Sequence, residues 1–106
     1  MNFETSSLFD KQSKQLSKKF NLLRNDLEDF VNNFNDYHST ATNIKINFFK
    51  VRLSNANKNK GKSAGYRIYY YLKIDDTVYL LTIYDKSQIE SINENILIDL
   101  IKEFEF

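Results

Sequence analysis

Hydrophobic side chains in the first 36 residues recur at helical spacing in two segments. Ser6 or Ser7 is a suitable N-cap for a helix that runs to about Phe20. In a second helix, from about Leu23 to Phe34, apolar side chains recur at i, i+4, i+7, i+8 and i+11 and so form one stripe. The members of that stripe are Leu23, Leu27, Phe30, Val31 and Phe34. The two segments predict an antiparallel helical hairpin, which a short strand over residues 2–5 precedes.

From residue 44 onward the apolar spacing changes to two, which is typical of strands. Segments 44–53, 66–74 and 78–84 are predicted strands, and a tight turn at residues 75–76 joins the last two. Residues 35–43 and 55–63 are polar and are predicted loops. A short C-terminal helix is predicted from Asn93, with an apolar stripe of Ile96, Leu97, Leu100, Ile101 and Phe104. We therefore predict a single α+β domain over residues 1–106: an N-terminal helical hairpin packed on a small antiparallel sheet, with a short C-terminal helix and all helices on one face of the sheet.

Alternation along the strands predicts which side chains share a face of the sheet. Residues 49, 51 and 53 are apolar, and so are residues 66, 68, 70 and 72 apart from their tyrosine hydroxyls. If these sets face the helices, the opposite face is open and carries Lys50, Arg52, Arg67, Tyr69 and Tyr71. Such a face combines cations for phosphates with rings on which bases stack. Tyrosine is also a good strand former, which accounts for the two rings without any function.

Charge is distributed unevenly along the chain, although the formal net charge is only +1. Residues 37–74 contain eight basic side chains and no acidic one, whereas residues 75–106 contain eight acids and only Lys86 and Lys102 as bases. A basic block of this kind predicts a surface that attracts polyanions. A solvated lysine-rich face is the alternative interpretation.

Several function classes are excluded by composition. The chain contains no cysteine and a single histidine, His38, so thiolate metal sites, cysteine nucleophiles and His-rich metal cages are excluded. No metal site and no cofactor is predicted. Apolar runs are far shorter than the roughly 20 residues of a membrane span, and the N-terminus does not have the pattern of a signal peptide. We therefore expect a cytoplasmic protein.

Residues 56–63 resemble a phosphate-binding loop but lack its first glycine, and a strand pattern follows where the fingerprint needs a helix. The remaining Lys, Arg and Tyr set suits one reaction, the attack of an RNA 2′-OH on its adjacent phosphate. Cations stabilise the phosphorane, a side chain transfers a proton, and no metal is required. A cluster of cations is also expected to lower the pKa of tyrosine and lysine toward the useful range.

Four blocks that occur in order carry a family resemblance. They are residues 9–16 (FDKQSKQL), residues 50–53 (KVRL), residues 61–70 (GKSAGYRIYY) and residues 79–87 (YLLTIYDKS). Together they resemble the RelE/HigB group of toxins from bacterial type II toxin–antitoxin systems, in the RelE/ParE superfamily. The resemblance runs from about residue 5 to residue 91.

The resemblance implies a ribosome-dependent endoribonuclease, an mRNA interferase that cleaves mRNA in the ribosomal A site and inhibits translation. It implies a cognate antitoxin as partner, in a toxin–antitoxin heterocomplex or beside a homo-oligomer. Arg67 would stabilise the transition-state phosphate, with Lys50, Arg52 and Tyr84 as further catalytic residues. The implied RNA-binding residues are Lys58, Lys60, Lys62, Tyr69, Tyr71, Asp85 and Lys86.

Two questions stay open at this stage. The same superfamily includes proteins that act by binding alone, as gyrase poisons or as degenerate members that bind only an antitoxin. The C-terminal apolar stripe suits packing on the sheet, an antitoxin, or a second copy of the chain.

Overall fold

Five strands and four helices make up the α+β fold of the computed structural model, which describes residues 1–58, 64–73, 75–88 and 92–104. In chain order they are β1 (Asn2–Thr5), α1 (Ser7–Lys19), α2 (Leu23–Asn32), α3 (Phe34–Ser39), β2 (Thr42–Lys45), β3 (Phe48–Leu53), β4 (Tyr66–Leu72), β5 (Thr77–Asp85) and α4 (Ile96–Ile101). A 3₁₀ turn, Lys102–Phe104, follows α4. The α+β class predicted from the sequence is thus confirmed.

The sheet has the strand order β1-β5-β4-β3-β2. Neighbouring strands from β2 to β5 are antiparallel, as predicted, but β1 pairs with β5 in parallel, so the sheet is mixed. Ser6 fixes this arrangement: its N–H donates to Leu80 O (3.0 Å), its Oγ donates to Leu81 O (2.7 Å), and the same Oγ caps α1 by accepting from Phe9 N (2.9 Å). The prediction of an antiparallel sheet was wrong at this edge because a four-residue strand pattern carries no information on direction.

The predicted second helix is split in two at Asn33. The Asn33 side chain bonds back to Asp29, to both its carbonyl and its carboxylate oxygen, and α2 ends there. Phe34, predicted as the end of that helix, and residues 35–39, predicted as part of a loop, then form α3. The apolar Phe34 and Tyr37 drive this, because both rings pack edge-on against Phe30 (5.6 and 5.4 Å between centroids) while the polar side chains face water.

The predicted strand over residues 44–53 is confirmed in its second half, β3. Its first half belongs to β2, which turns back at Ile46 and Asn47 to pair with β3. Asn47 has φ 66°, a left-handed conformation that asparagine tolerates better than most residues. The predicted turn at residues 75–76 is confirmed, with Asp76 at φ 65°.

Two apolar layers cover the sheet. The larger one lies between α1–α3 and the face predicted to meet them, and its central residues include Val51, Leu53, Tyr66, Ile68 and Tyr70. His38 belongs to this side: its Nδ1 lies 2.6 Å from Tyr70 Oη and its ring stacks on Phe34.

The second layer lies on the opposite face, under α4. Leu97 is fully buried there and packs with Phe48, Tyr69, Tyr79, Leu81 and Tyr84. The predicted C-terminal helix is therefore confirmed over a shorter range, but the prediction that all helices lie on one face was wrong. Every residue of β5 is buried, which requires packing on both faces of this strand. Glu103 secures the segment by accepting from Ser7 N and Ser7 Oγ, each at 2.9 Å.

Candidate nucleic-acid interface

Three cationic side chains lie side by side on the face opposite the N-terminal helices. Lys50 and Arg52 alternate with the buried Val51 on β3, and Lys50 Nζ lies 5.9 Å from the centre of the Tyr69 ring. Arg67 on β4 is the cross-strand partner of Arg52. Like charges directly opposite each other destabilise a sheet, and an anion over both guanidinium groups would relieve that repulsion. We call Lys50, Arg52 and Arg67 the cationic strip.

Within the strip, exposure differs sharply. Arg52 is exposed, Lys50 is half-buried and Arg67 is only 4% exposed. Arg67 Nη1 donates to Tyr66 O at 3.2 Å. Burial lowers the pKa of Arg67, and the charge of Arg52 lowers it further, while Tyr84 and Tyr69 oppose the change. A guanidinium stays protonated in proteins, so the strip presents one buried charge beside one that solvent reaches.

Two tyrosines support the buried arginine. Tyr84 is the cross-strand partner of Arg67, and the Tyr69 and Tyr84 rings stack at 6.2 Å. Burial raises the pKa of Tyr69, and so does its side-chain hydrogen bond with Tyr84; the charge of Glu94 adds to this, and that of Arg67 opposes it. The two rings therefore form one buried aromatic pair beside the Arg67 guanidinium. The prediction that the cations lower tyrosine pKa values was wrong for Tyr69, where burial outweighs Arg67.

The predicted open tyrosine face is closed. Tyr69 is 1% exposed, and Tyr71 is half-buried, with its ring 4.8 Å from that of Phe48. Neither ring offers a free face of the kind that stacking on a base requires. The layer under α4 covers this face. Of the three roles that the sequence allowed for the C-terminal apolar stripe, the structure shows packing on the sheet.

Beside the strip, two threonines form a wall that the sequence analysis missed. Thr40 follows α3, and Thr42 on β2 is the cross-strand partner of Lys50. Together with Lys50 and Arg52 they line a pocket of about 400 Å³. Residues 35–43 were predicted as a loop, and recognising Phe34 and Tyr37 as a helical pair was the signal that would have placed Thr40 at a helix end.

Lys58 and Asp85, both predicted to bind RNA, are bound to each other. Lys58 Nζ lies 2.7 Å from Asp85 Oδ1 and 3.0 Å from Ser87 Oγ, and Asp85 is fully buried. Burial alone would raise the pKa of Asp85, but the hydrogen bonds from Lys58 and Ser87 outweigh it and hold the pKa below its ordinary value. This pair secures the residues before β4 to the end of β5.

The remaining predicted RNA-binding residues are Lys60, Lys62 and Lys86. Lys86 is exposed directly after β5. Lys60 and Lys62 fall outside the described residues. Of the predicted site, the structure thus brings together Lys50, Arg52, Arg67, Tyr69 and Tyr84.

Among the residues that the structure describes, no group of three or more His, Cys, Asp or Glu side chains is placed to hold a metal ion. None of the helices in the described ranges is long and apolar enough to cross a membrane. No protein-family profile matches the sequence, and no curated protein is significantly similar to it.

Proposed function

We propose that this protein is an endoribonuclease of the RelE/HigB type, a toxin that cleaves mRNA on the ribosome and that a cognate antitoxin neutralises. The observation that carries the proposal is the cationic strip: three cations from two adjacent strands on one face, with Tyr84 beside the buried Arg67. A strand of RNA presents its phosphates at regular intervals, and a row of cations matches them.

The reaction follows from this geometry. The 2′-oxygen of one ribose attacks the adjacent phosphorus, its proton passes to water, and the bond to the 5′-oxygen of the next nucleotide breaks. The products are a 2′,3′-cyclic phosphate and a 5′-hydroxyl. Arg67 stabilises the extra negative charge of the phosphorane, and Lys50 and Arg52 hold the flanking phosphates. Fixed charges of this kind act strongly in a site with little water.

Tyr84 is suited to proton donation in this scheme. It lies directly opposite Arg67 across the β4–β5 ladder, and a phenol hydroxyl can donate its proton, in this scheme to the leaving 5′-oxygen. The Tyr69 ring stacks on that of Tyr84 with 6.2 Å between their centroids and so holds it in place.

A substrate presented by the ribosome also agrees with the charge of the chain. A net charge of +1 provides little long-range attraction for free RNA. The ribosome would supply the message at high local concentration, which the protein alone does not.

The burial of Arg67 favours a second candidate, a relative that acts by binding alone. With Arg67 at 4% exposure, only Lys50 and Arg52 of the strip meet a partner without rearrangement. Gyrase, as a partner of the superfamily, and the antitoxin alone both fall under this candidate.

Primer extension on a defined mRNA in a purified translation system, with and without ribosomes, tests the proposal. Arg67→Met removes the charge and keeps much of the buried side-chain volume. Arg52→Met removes the charge of the exposed arginine of the strip. We expect cleavage only with ribosomes, and a loss of about 100-fold or more in Arg67→Met. Arg24→Met is the control, because Arg24 is exposed on α2 and pairs only with Glu28 among the described residues.

An intact message with the wild-type protein would contradict the enzyme and favour the binding candidate, which a gyrase supercoiling assay then examines. Cleavage that is equal in Arg67→Met and Arg24→Met would remove Arg67 from the mechanism. Thermal melts of each variant establish that it is folded.

A further inference from the structure

The pocket beside the cationic strip combines cations with hydroxyl groups. Thr42 and Lys50 are cross-strand partners, so their side chains lie next to each other on one face of the sheet, and Arg52 follows two residues along the same strand. Thr40 closes the pocket from the end of α3. Its volume of about 400 Å³ falls within the range of small-molecule sites, roughly 300–1,000 Å³.

The hydroxyl donor of Thr40 is already used within the protein. Its Oγ1 donates to Tyr37 O at 3.0 Å, which satisfies a carbonyl at the end of α3. A hydroxyl has one donor and two acceptor lone pairs, so Thr40 offers the pocket acceptors only. A ligand that meets Thr40 must therefore bring a donor, and a ligand that meets Lys50 and Arg52 must bring negative charge.

A ribose with a 3′-phosphate has both groups on neighbouring carbons. Its 2′-hydroxyl is a donor, and the phosphate beside it is anionic; deoxyribose has the phosphate but lacks the hydroxyl. We propose that the pocket formed by Thr40, Thr42, Lys50 and Arg52 is a ribose-3′-phosphate subsite, in which Thr40 accepts from the 2′-hydroxyl and makes the protein select RNA over DNA. The inference rests on the proposed function and specifies how its substrate class is recognised.

The subsite is tested without ribosomes and without cleavage. The probes are the four ribonucleoside 3′-monophosphates and their 2′-deoxy counterparts, titrated into labelled protein while the amide signals of residues 40–52 are followed by NMR. We expect the ribonucleotides to bind about fivefold more tightly, the equivalent of one net hydrogen bond. Thr40→Val, which keeps the shape and removes the hydroxyl, should bring the ratio to about one, and Thr40→Ser should restore it.

Ser39→Ala is the matched control. Ser39 Oγ donates to Asp36 O at 2.6 Å, so this variant loses the same kind of bond at the end of the same helix but leaves the pocket lining unchanged. It should keep the wild-type preference for ribonucleotides.

Equal binding of both sugar types by the wild-type protein would overturn the subsite, and so would an unchanged ratio in Thr40→Val. No binding of either nucleotide would also overturn it. The cleavage assay above is independent of all three results, so a ribosome-dependent nuclease that shows any of them would lose this subsite and keep its proposed function.

Discussion

Replacing Lys58 by methionine breaks the buried ion pair that joins the residues before β4 to the end of β5. The variant keeps the aliphatic stem of the side chain and its packing near Phe20, whose ring centre lies 5.5 Å from the ammonium nitrogen in the wild-type protein. It leaves the fully buried Asp85 carboxylate with the hydroxyl and N–H of Ser87, at 2.8 and 3.3 Å. The Lys58 bonds to Ser87 and to Ala64 O are lost as well.

The expected loss in the free energy of unfolding is about 3 kcal/mol at pH 7. Removing one partner of a buried ion pair costs about 3–5 kcal/mol, because an uncompensated charge remains. The two bonds from Ser87 stay in place, so we expect the lower end of that range. Arg24→Met is the control: the Arg24–Glu28 pair has side chains 88% and 61% exposed, and such pairs contribute well below 1 kcal/mol.

The loss depends on pH with a definite sign. In the wild-type protein the pKa of Asp85 lies below its unfolded value of 3.8, so the pair stabilises the fold above that pH, and this stabilisation is lost as the pH falls through the folded pKa. Without Lys58, burial becomes the dominant influence and places the folded pKa above the unfolded value. Protonation then stabilises the variant as the pH falls toward 4, so the difference between the two proteins narrows.

Urea denaturation at pH 7 and at pH 4 measures both quantities. The Lys58→Met, Asp85→Asn double variant separates the buried charge from the lost packing, because it should recover much of the stability at pH 7 and show no narrowing at pH 4. The reasoning is refuted if the difference between wild type and Lys58→Met is the same at both pH values, or if it is as small as that of the Arg24 control.

Two further predictions concern the elements that frame the site. Gly65→Ala should destabilise the fold by roughly 1–3 kcal/mol or more. A Cβ there would collide with the carbonyl oxygen of Leu53 and come within 3.0 Å of the Asn55 nitrogen. A melting temperature equal to that of the wild type would show that this backbone contact is not tight. Leu97→Ala should lower the free energy of unfolding by about 2–5 kcal/mol and expose Tyr69 to solvent, because Leu97 is fully buried against the tyrosine layer. Iodide quenching of tyrosine fluorescence equal to that of the wild type would contradict the assignment of α4 as the element that covers Tyr69.

Alternation predicted the two faces of β3 and β4 correctly because neighbouring side chains of a strand necessarily point to opposite sides. Val51 and Leu53 face the helices, and Lys50 and Arg52 face away, as their spacing requires. Alternation does not show, however, whether a further element such as α4 covers the outer face of the sheet. The run from Val78 to Leu81 is apolar without alternation, which indicates a strand buried on both faces. This was the available sign that the tyrosine face would be closed.

The sequence predicted the cations of the candidate site but not their burial or their ion-pair partners. The cations follow from the acid-free block and the strand period. Arg67 lies opposite Arg52 because of the β3–β4 register, and local spacing does not encode its burial. The partnership of Lys58 with Asp85 joins residues 27 positions apart, so each looked like a free charge in the sequence.

The parallel pairing of β1 with β5 also delays completion of the fold during synthesis. Residues 2–5 find their partners at residues 77–80, and the Ser6 hydroxyl reaches a carbonyl 75 positions later. At a synthesis rate of roughly 5–20 residues per second, that interval lasts about 4–15 s. For most of this time helices α1–α3 lack the strands on which their apolar side chains pack, and β4, once made, still lacks its neighbour β5. The nascent chain therefore exposes apolar surface for seconds before the fold is complete.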